Sequence, residues 1–182
     1  MISSRSRDGV RRARPRLVAG LALGLLCVAA SPIAPAAPLS SDACTLVLRE
    51  HRSGRELLRV MLPSTATPGF AVAFEHSVLG HTVTDRYELR AQASGWRAHL
   101  VEERFDGEGY GLPYGPTAPG ERMVRGPQGW SLQLDRVVHP LVVRPLDAQA
   151  TRLQAGGREY LLAALTGHAI DMQPAGCQPS RR

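Results

Sequence analysis

The chain lacks lysine altogether, so all 22 of its basic residues are arginines. Six of these arginines precede residue 17, where Asp8 is the single acidic residue. Beyond residue 36 the remaining 16 arginines face 15 Asp and Glu residues, which leaves that part of the chain with a charge of about +1. Nucleic-acid binding requires a basic patch that neutralises phosphates. The charge distribution therefore excludes a nucleic-acid partner, despite the formal net charge of +6.

The sequence also has no apolar run that crosses a membrane comfortably. Residues 17–30 form a run of 14 uncharged residues, whereas a transmembrane helix needs about 20. A basic start, this short apolar run and a small-residue site ending at Ala36 are together typical of a secretory signal peptide. We therefore assign residues 1–36 to a signal peptide and 37–43 to a lead-in, and expect the protein in the periplasm or on the outer face of the inner membrane. The alternative is an uncleaved anchor, in which case this segment alone contacts the membrane.

Cysteine is scarce, with three residues in the chain, and cleavage of the signal peptide removes Cys27. The two that remain are Cys44 and Cys177. An even number of cysteines in an exported domain favours a disulfide bond. We therefore predict a Cys44–Cys177 bridge, the alternative being two unrelated buried thiols.

No long segment shows the sustained period of an amphipathic helix. Instead, apolar and polar residues alternate in short stretches separated by Pro- and Gly-rich turns, which is the pattern of β-strands. We predict that residues 44–173 form a single all-β domain, an antiparallel β-sandwich or partly open barrel, followed by a disordered tail at 174–182. A Gly-Gly turn at 156–157 would set Leu153 opposite Tyr160. Further strands are predicted at 44–52, 55–62, 70–78, 81–89, 95–105, 130–134, 141–144 (an edge strand or a short strand entered at a bend) and 168–172, with 106–120 as an irregular loop.

Several catalytic and cofactor signatures are missing. A phosphate-binding glycine loop needs a helix directly after it, but prolines at 113, 116 and 119 forbid a helix after the glycines of residues 106–120. No G-x-S-x-G nucleophile elbow occurs. Ser77 cannot act with its neighbour His76, since adjacent side chains of a strand point to opposite faces. We therefore predict no cofactor, no metal site and no enzymatic activity.

The stretch of residues 70–87 places polar side chains in a row that should face the core. Its apolar residues alternate with other residues up to a turn at 79–80 and again beyond it, which is typical of two half-buried strands. A two-residue turn there pairs Phe74 with Asp85. His76 then lies one diagonal step from that aspartate, within about 7–8 Å.

A second stretch, residues 102–113, brings Glu102 to the same place. Ala98, Leu100 and Glu102 share one face of this strand. Pairing Tyr87 with Leu100 sets Asp85 opposite Glu102, next to His76. Two carboxylates about 5 Å apart repel by about 3 kcal/mol at an effective dielectric near 20, so they share a proton or a cation compensates. We rank an internal histidine–carboxylate network, in which Asp85→Asn weakens folding, above a metal site. The alternative is that one or more of the three residues lies in water at a sheet end.

These two stretches resemble a known family. The pattern H-S-V, then V-x-[D/E]-x-[Y/F], then E-x-x-F-x-x-x-G-x-G-x-P is similar to that of the bacterial domain-of-unknown-function family number eighteen-fifty. The resemblance covers about residues 44–173, nearly the whole mature domain, although Tyr110 stands where the family has a small residue. In this chain the pattern is carried by His76, Ser77, Val78, Val83, Asp85, Tyr87, Glu102, Phe105, Gly109, Gly111 and Pro113.

The resemblance implies a context rather than a reaction. Members of the family are small exported or membrane-anchored proteins, often encoded beside TRAP transporters with TAXI-type solute-binding proteins. It implies an accessory domain that assists solute uptake by binding the transporter permease, the solute-binding protein or the solute. The alternative is a small metal-binding or acid–base enzyme domain centred on His76, Asp85 and Glu102. The residues that we assign to ligand or partner binding are His76, Ser77, Asp85, Tyr87, Glu102, Gly109, Gly111 and Pro113.

The signal-peptide assignment predicts where the mature chain begins. Cleavage after Ala36 should give an exported protein that starts near Ala37, because the small-residue site follows the apolar run at the spacing of a signal peptide. N-terminal sequencing of the exported protein measures this directly. Recovery of the intact N-terminus in the membrane fraction would instead identify the segment as an anchor.

Overall fold

The computed structural model describes residues 44–63, 65–107 and 111–178. Over these ranges the chain consists of strands, with two short 3₁₀ turns and no α-helix. No helix in this part of the chain is long and apolar enough to span a membrane. The residues assigned to the signal peptide and lead-in lie outside the described ranges. The strands are β1 Thr45–Glu50, β2 Glu56–Met61, β3 Gly69–Glu75, β4 Thr82–Gln92, β5 Gly95–Phe105, β6 Arg122–Gly126, β7 Gly129–Val138, β8 Val142–Val143, β9 Arg152–Ala155, β10 Arg158–Leu161 and β11 Ile170–Ala175, and the 3₁₀ turns are Asp147–Gln149 and Leu162–Ala164.

The strands form two antiparallel sheets. A four-stranded sheet has the order β2-β1-β11-β8, and a seven-stranded sheet has the order β10-β9-β3-β4-β5-β7-β6. Buried side chains of both sheets, such as Leu46 and Leu48 of β1 and Leu89 and Leu132 of the larger sheet, belong to one hydrophobic cluster. The two sheets therefore pack against each other, and the predicted all-β sandwich is confirmed.

Strands bounded by strong local signals agree with the sequence analysis. Leu153 pairs with Tyr160 across the Gly-Gly turn of the β9–β10 hairpin, and β5 begins and ends at the predicted residues. The predicted edge strand, β8, lies at the edge of the four-stranded sheet. Strand β6 is not predicted, because its sequence RMVRG has two apolar residues and follows directly on the glycine-rich loop.

The turn between β3 and β4 is longer than the sequence indicates. Phe74 pairs with Val83 rather than with Asp85, and the backbone N–H of His76 donates to the carbonyl of His81 at 2.8 Å. The four residues between these histidines make up the turn, so the predicted register is wrong by two residues. Because the side-chain period of a strand is two, each side chain keeps its predicted face.

The register between β4 and β5 changes part way along the pair. Tyr87 pairs with Leu100, as predicted, but farther along Asp85 pairs with Glu103. The shift arises because Val101 has no partner on β4. Such a bulge reverses the inward–outward alternation of the strand beyond it.

The spacing of two large apolar residues gives the physical reason for this bulge. Leu100 and Phe105 are five residues apart, so a regular strand would point them to opposite faces of the sheet. The extra residue lets both point inward, and Phe105 is 2% exposed. The same change moves Glu102 to the outer face, so its predicted pairing with Asp85 is wrong.

The predicted bridge between Cys44 and Cys177 is present, with the sulfur atoms 1.95 Å apart. It joins the residue before β1 to the segment that follows β11. Strand β11 runs to Ala175, which pairs with Thr45. The strand thus extends past residue 173, the predicted end of the domain, because pairing with the buried strand β1 satisfies its backbone groups.

Removing the bridge should destabilise the domain. The two cysteines are 133 residues apart in sequence, and closing a loop of that length stabilises the folded state by at most about 5 kcal/mol on the chain-entropy model. We expect the Cys44→Ala/Cys177→Ala variant to lose free energy of unfolding up to that amount, measured by urea denaturation. Intact-mass analysis of the exported protein with and without reductant is the control, and two free thiols there would contradict the bridge.

Candidate functional site

A pair of carboxylates on neighbouring strands interrupts the apolar interior. Asp85 of β4 lies directly opposite Glu103 of β5, and both are half-buried. The next residues in their inward-facing rows, Val83 and Phe105, are buried. Side chains that are directly opposed on one face have Cβ atoms about 5 Å apart. The two acids therefore meet on the inner face of the seven-stranded sheet.

Burial and mutual repulsion disfavour the charged forms of this pair. Desolvation, together with the charge of Glu103, raises the pKa of Asp85 to about 7. Desolvation also raises the pKa of Glu103. The positive charge of Arg136 lowers this pKa and the charge of Glu121 raises it, but both effects are smaller than that of desolvation. The hydroxyl of Tyr87 donates a long hydrogen bond of 3.5 Å to Asp85 Oδ2, and burial raises the pKa of that tyrosine. Near neutral pH the pair therefore exchanges a proton with solvent as a coupled unit.

The carboxylate pair also separates two hydrophobic clusters. The large cluster shared by both sheets includes Tyr87, whereas Val83, Phe105 and Leu112 form a small one. Along β4, Asp85 stands between Val83 of the small cluster and Tyr87 of the large one. Along β4 and β5 the pair thus lies between the two clusters, although Met123 packs against both of them elsewhere in the sheet.

Glu102 lies on the outer face of the sheet, in a network of its own. Its carboxylate accepts hydrogen bonds from Arg104 Nε at 2.8 Å and Arg86 Nε at 3.1 Å. A third comes from Ser131 Oγ at 2.6 Å. Burial by itself raises the pKa of Glu102, but these hydrogen bonds outweigh burial and hold the pKa below its usual value. Glu102 is therefore a charged, fully paired carboxylate.

His76 caps the β3–β4 turn with its side chain. Its Nδ1 accepts hydrogen bonds from the backbone N–H groups of Val78 at 3.3 Å and Leu79 at 3.4 Å. This capping explains why the turn holds four residues rather than two. Because His76 lies opposite His81, four residues along β4 from Asp85, about 13 Å of backbone separates the imidazole from that carboxylate.

The glycine-rich loop packs against the two histidines of this turn. A Cβ atom at Gly107 would lie 2.9 Å from His81 Nε2, and one at Gly111 would lie 3.2 Å from His76 Nε2. Gly111 also has a φ of +85°, which favours glycine. The loop backbone can approach the imidazole rings because side chains are absent at these two positions. Gly109 lies outside the described residues.

The turn and the loop together form an exposed edge of the domain. Leu112 of the loop belongs to the small cluster and Leu79 of the turn packs against it, so the cluster joins the two segments. Two large side chains on this edge face solvent, since Val78 is 70% exposed and Tyr114 is 82% exposed. This edge, which we call the rim, consists of residues 76–81 and 111–114.

The structure does not bring His76, Asp85 and Glu102 together. His76 lies at the rim, Asp85 in the interior and Glu102 on the outer face, so the predicted cluster is wrong, as is any site centred on it. The partner that the sequence analysis missed is Glu103. The odd spacing of the large apolar residues in β5 is the signal that would have revealed it. Of the other assigned residues, Ser77 and Gly111 are exposed, Pro113 is half-buried and Tyr87 is buried.

Metal binding can be checked against the same side chains. Within residues 44–63, 65–107 and 111–178, no three or more His, Cys, Asp or Glu side chains are grouped so that they could hold a metal ion. The interior pair supplies two acidic groups and one phenol, which suits proton exchange.

Comparison with known families finds a match for this chain. A family model described as Domain of unknown function (DUF1850) matches residues 70–162, about half of the chain. The matched range contains the interior carboxylate pair, the Glu102 network and the rim. No curated protein and no solved structure matches the chain.

The carboxylate pair should make the protein less stable as the pH rises. In the folded state the pKa of Asp85 is raised from 3.8 to about 7, so between these values the folded chain keeps a proton that the unfolded chain releases. The free energy of unfolding therefore falls with rising pH through this window and levels off above about pH 7. We expect a loss of roughly 2 to 3 kcal/mol between pH 5 and pH 8 from this group, measured by urea denaturation.

Asp85→Asn should remove most of this pH dependence and be more stable than the wild type at pH 8. The amide keeps the shape of the side chain but cannot acquire the charge that Glu103 repels. This reverses the expectation from the sequence that the substitution weakens folding. Asp147→Asn, a change of an exposed acid in a 3₁₀ turn, is the matched control and should leave the pH profile unchanged. An Asp85→Asn protein less stable than the wild type at pH 8 would refute the repulsion.

Proposed function

Because the chain belongs to the family described as Domain of unknown function (DUF1850), we propose that it is an exported accessory domain of a TRAP-type solute transporter with a TAXI-type solute-binding protein. In this proposal the domain acts by binding rather than by catalysis. Its partner is the permease or the solute-binding protein, on the outer side of the inner membrane. The resemblance of its motifs supports the transporter context, and its surface supports the binding role.

Export is supported by two separate features. The first 36 residues have the basic start, apolar run and small-residue site of a signal peptide. The domain also holds a Cys44–Cys177 bridge, and disulfides persist in oxidising compartments and are rare in the cytosol. Both features favour the compartment in which a solute-binding protein meets its permease.

The observation that carries the proposal is the exposed apolar surface of the rim. Val78 and Tyr114 are 70% and 82% exposed, although Leu79 and Leu112 beside them are packed in the small cluster. Val78 and Tyr114 therefore project from segments whose neighbouring leucines are held by packing in the interior. Exposed tyrosines of this kind are typical of the energetic centres of protein interfaces.

The charge of the domain favours the same type of partner. Beyond residue 36 the arginines and acids nearly balance, and many of them are paired with each other on the domain surface. Long-range electrostatic attraction therefore contributes little to recognition. We expect an interface that depends on apolar contacts and changes little with salt.

Tyr114→Ala should weaken the association with transporter components. Truncating a central interface tyrosine typically costs about 2 kcal/mol or more, roughly a 30-fold loss of affinity. The measurement is a pull-down of the tagged exported protein from membranes of the native host, with the permease and the solute-binding protein quantified by mass spectrometry. Met61→Ala is the matched control, because Met61 is 68% exposed but lies at the end of β2 in the other sheet.

Uptake in the native host tests the same proposal independently of capture. Deleting the gene should impair uptake by the neighbouring transporter, and the wild-type and Met61→Ala genes should restore it while Tyr114→Ala should not. Unchanged uptake in the deletion strain would rule out an accessory role. Full recovery by Tyr114→Ala would instead place the interface elsewhere on the domain.

A further inference from the structure

The outer face of the seven-stranded sheet carries a continuous chain of charged side chains. From Arg104 to Asp135 its members alternate in sign along and across β4, β5 and β7, so each inner member of that part contacts opposite charges on both sides. The imidazole of His99 forms a hydrogen bond with Asp135 at the far end. A residue at the end of such a chain keeps hydrogen-bonding capacity that its single neighbour does not use. The contacts link, in order, Arg104, Glu102, Arg86, Glu88, Arg90, Asp135 and His99.

Arg104 is the first residue of this series of charged side chains, and only part of its guanidinium forms hydrogen bonds. Its Nε donates to Glu102 Oε1 at 2.8 Å, while neither of its Nη atoms bonds to another group in the described part of the chain. Glu102 is a fixed anchor, because its side chain is 9% exposed and is also held by Arg86 and Ser131. The side chain of Arg104 is nevertheless 62% exposed. A buried carboxylate therefore presents this guanidinium to solvent in a set orientation.

Two adjoining grooves open beside the presented guanidinium. A groove of about 660 Å³ is lined by Thr82, Thr84 and Asp106 together with Arg104. A second groove, of about 400 Å³, is lined by Trp130 and again by Arg104. These volumes fall within the usual range of small-molecule sites, in which a few placed polar groups fix the ligand. Arg104 lies where the two grooves meet.

We propose that the larger groove binds a small hydroxylated organic acid through its carboxylate. The terminal N–H groups of Arg104 form a bidentate pair with the carboxylate, since the planar fork of arginine matches that geometry. The hydroxyls of Thr82 and Thr84 line the same groove and contact the hydroxyl groups of the ligand. Asp106 repels a second carboxylate, so a monocarboxylate fits better than a dicarboxylate.

This proposal does not rest on the accessory role, because different side chains are involved. The groove uses the outer face of β4 and β5, whereas the rim uses Val78 and Tyr114. Loss of partner binding in a rim variant would leave the groove intact. Loss of ligand binding in a groove variant would likewise say nothing about the rim.

D-glycerate is the probe, because it combines one carboxylate with two hydroxyl groups. Isothermal titration of the exported protein at low ionic strength should show saturable binding, with weaker binding of glycerol, which lacks the carboxylate, and of malate, which has two. Arg104→Lys keeps the positive charge beside Glu102 but loses the fork, so affinity should fall about tenfold. Arg52→Lys, a change of an exposed arginine in the turn after β1, should bind like the wild type.

A second variant keeps the test decisive if Arg104→Lys does not fold. Thr84→Val removes a hydroxyl from the groove and keeps the Arg104 side chain, which lies opposite it on β5. The substitution should weaken glycerate binding several-fold, while thermal unfolding remains that of a folded protein. Equal affinities of the wild type and the folded variants, or no saturation below about 10 mM, would overturn the proposal. Inorganic phosphate that binds as tightly as glycerate would overturn the carboxylate assignment, because the groove would then recognise charge alone.

Discussion

The architecture depends on one constraint in β5, the need to bury Leu100 and Phe105 on the same face although they are an odd number of residues apart. A bulge at Val101 meets that constraint, and it has consequences on both sides of the sheet. Beyond the bulge Glu103 points inward and meets Asp85. Its neighbour Glu102 points outward and becomes the anchor of an arginine network. One extra residue thus produces both unusual electrostatic features of the domain.

The inner carboxylate pair and the outer carboxylate differ in the charged groups that contact them. Among the described residues no salt bridge reaches the inner pair, so burial dominates and the pKa of Asp85 moves to about 7. The side chain of the outer carboxylate, Glu102, is only 9% exposed, but hydrogen bonds from two arginines and Ser131 keep its pKa low. Burial therefore does not decide the protonation state by itself. The partner that the bulge assigns to each carboxylate decides it.

The parts of the fold that follow from local chemistry could be predicted from the sequence. The Gly-Gly turn sets Leu153 opposite Tyr160, and β5 runs from Gly95 to Phe105 as predicted. The two cysteines form the expected bridge. The turn and the strand are determined by residues that are close in sequence. The bridge follows from the number of cysteines, since only two remain beyond the predicted signal peptide.

The site could not be predicted in the same way, because its register depends on side chains acting at a distance. His76 lengthens the β3–β4 turn by accepting two backbone hydrogen bonds, and propensities for two-residue turns contain no such contact. The position of Glu103 depends on a bulge that is favourable only when Phe105 has a core to enter. A shift of one residue moves a carboxylate to the other face of the sheet. The prediction of two opposed acids was therefore correct in its chemistry for Asp85 and wrong in the identity of its partner.

The bridge between Cys44 and Cys177 also gives the described domain the connectivity of a ring. Starting at either cysteine, a covalent path runs through all the strands and returns through the two sulfur atoms. Cleavage of one peptide bond in an exposed loop, such as residues 116–120, opens this ring without releasing a fragment. The nicked molecule keeps every strand tethered to its neighbours. In an oxidising compartment that contains proteases, a single cut leaves one molecule, and two separate cuts or a cut with reduction are needed to divide it.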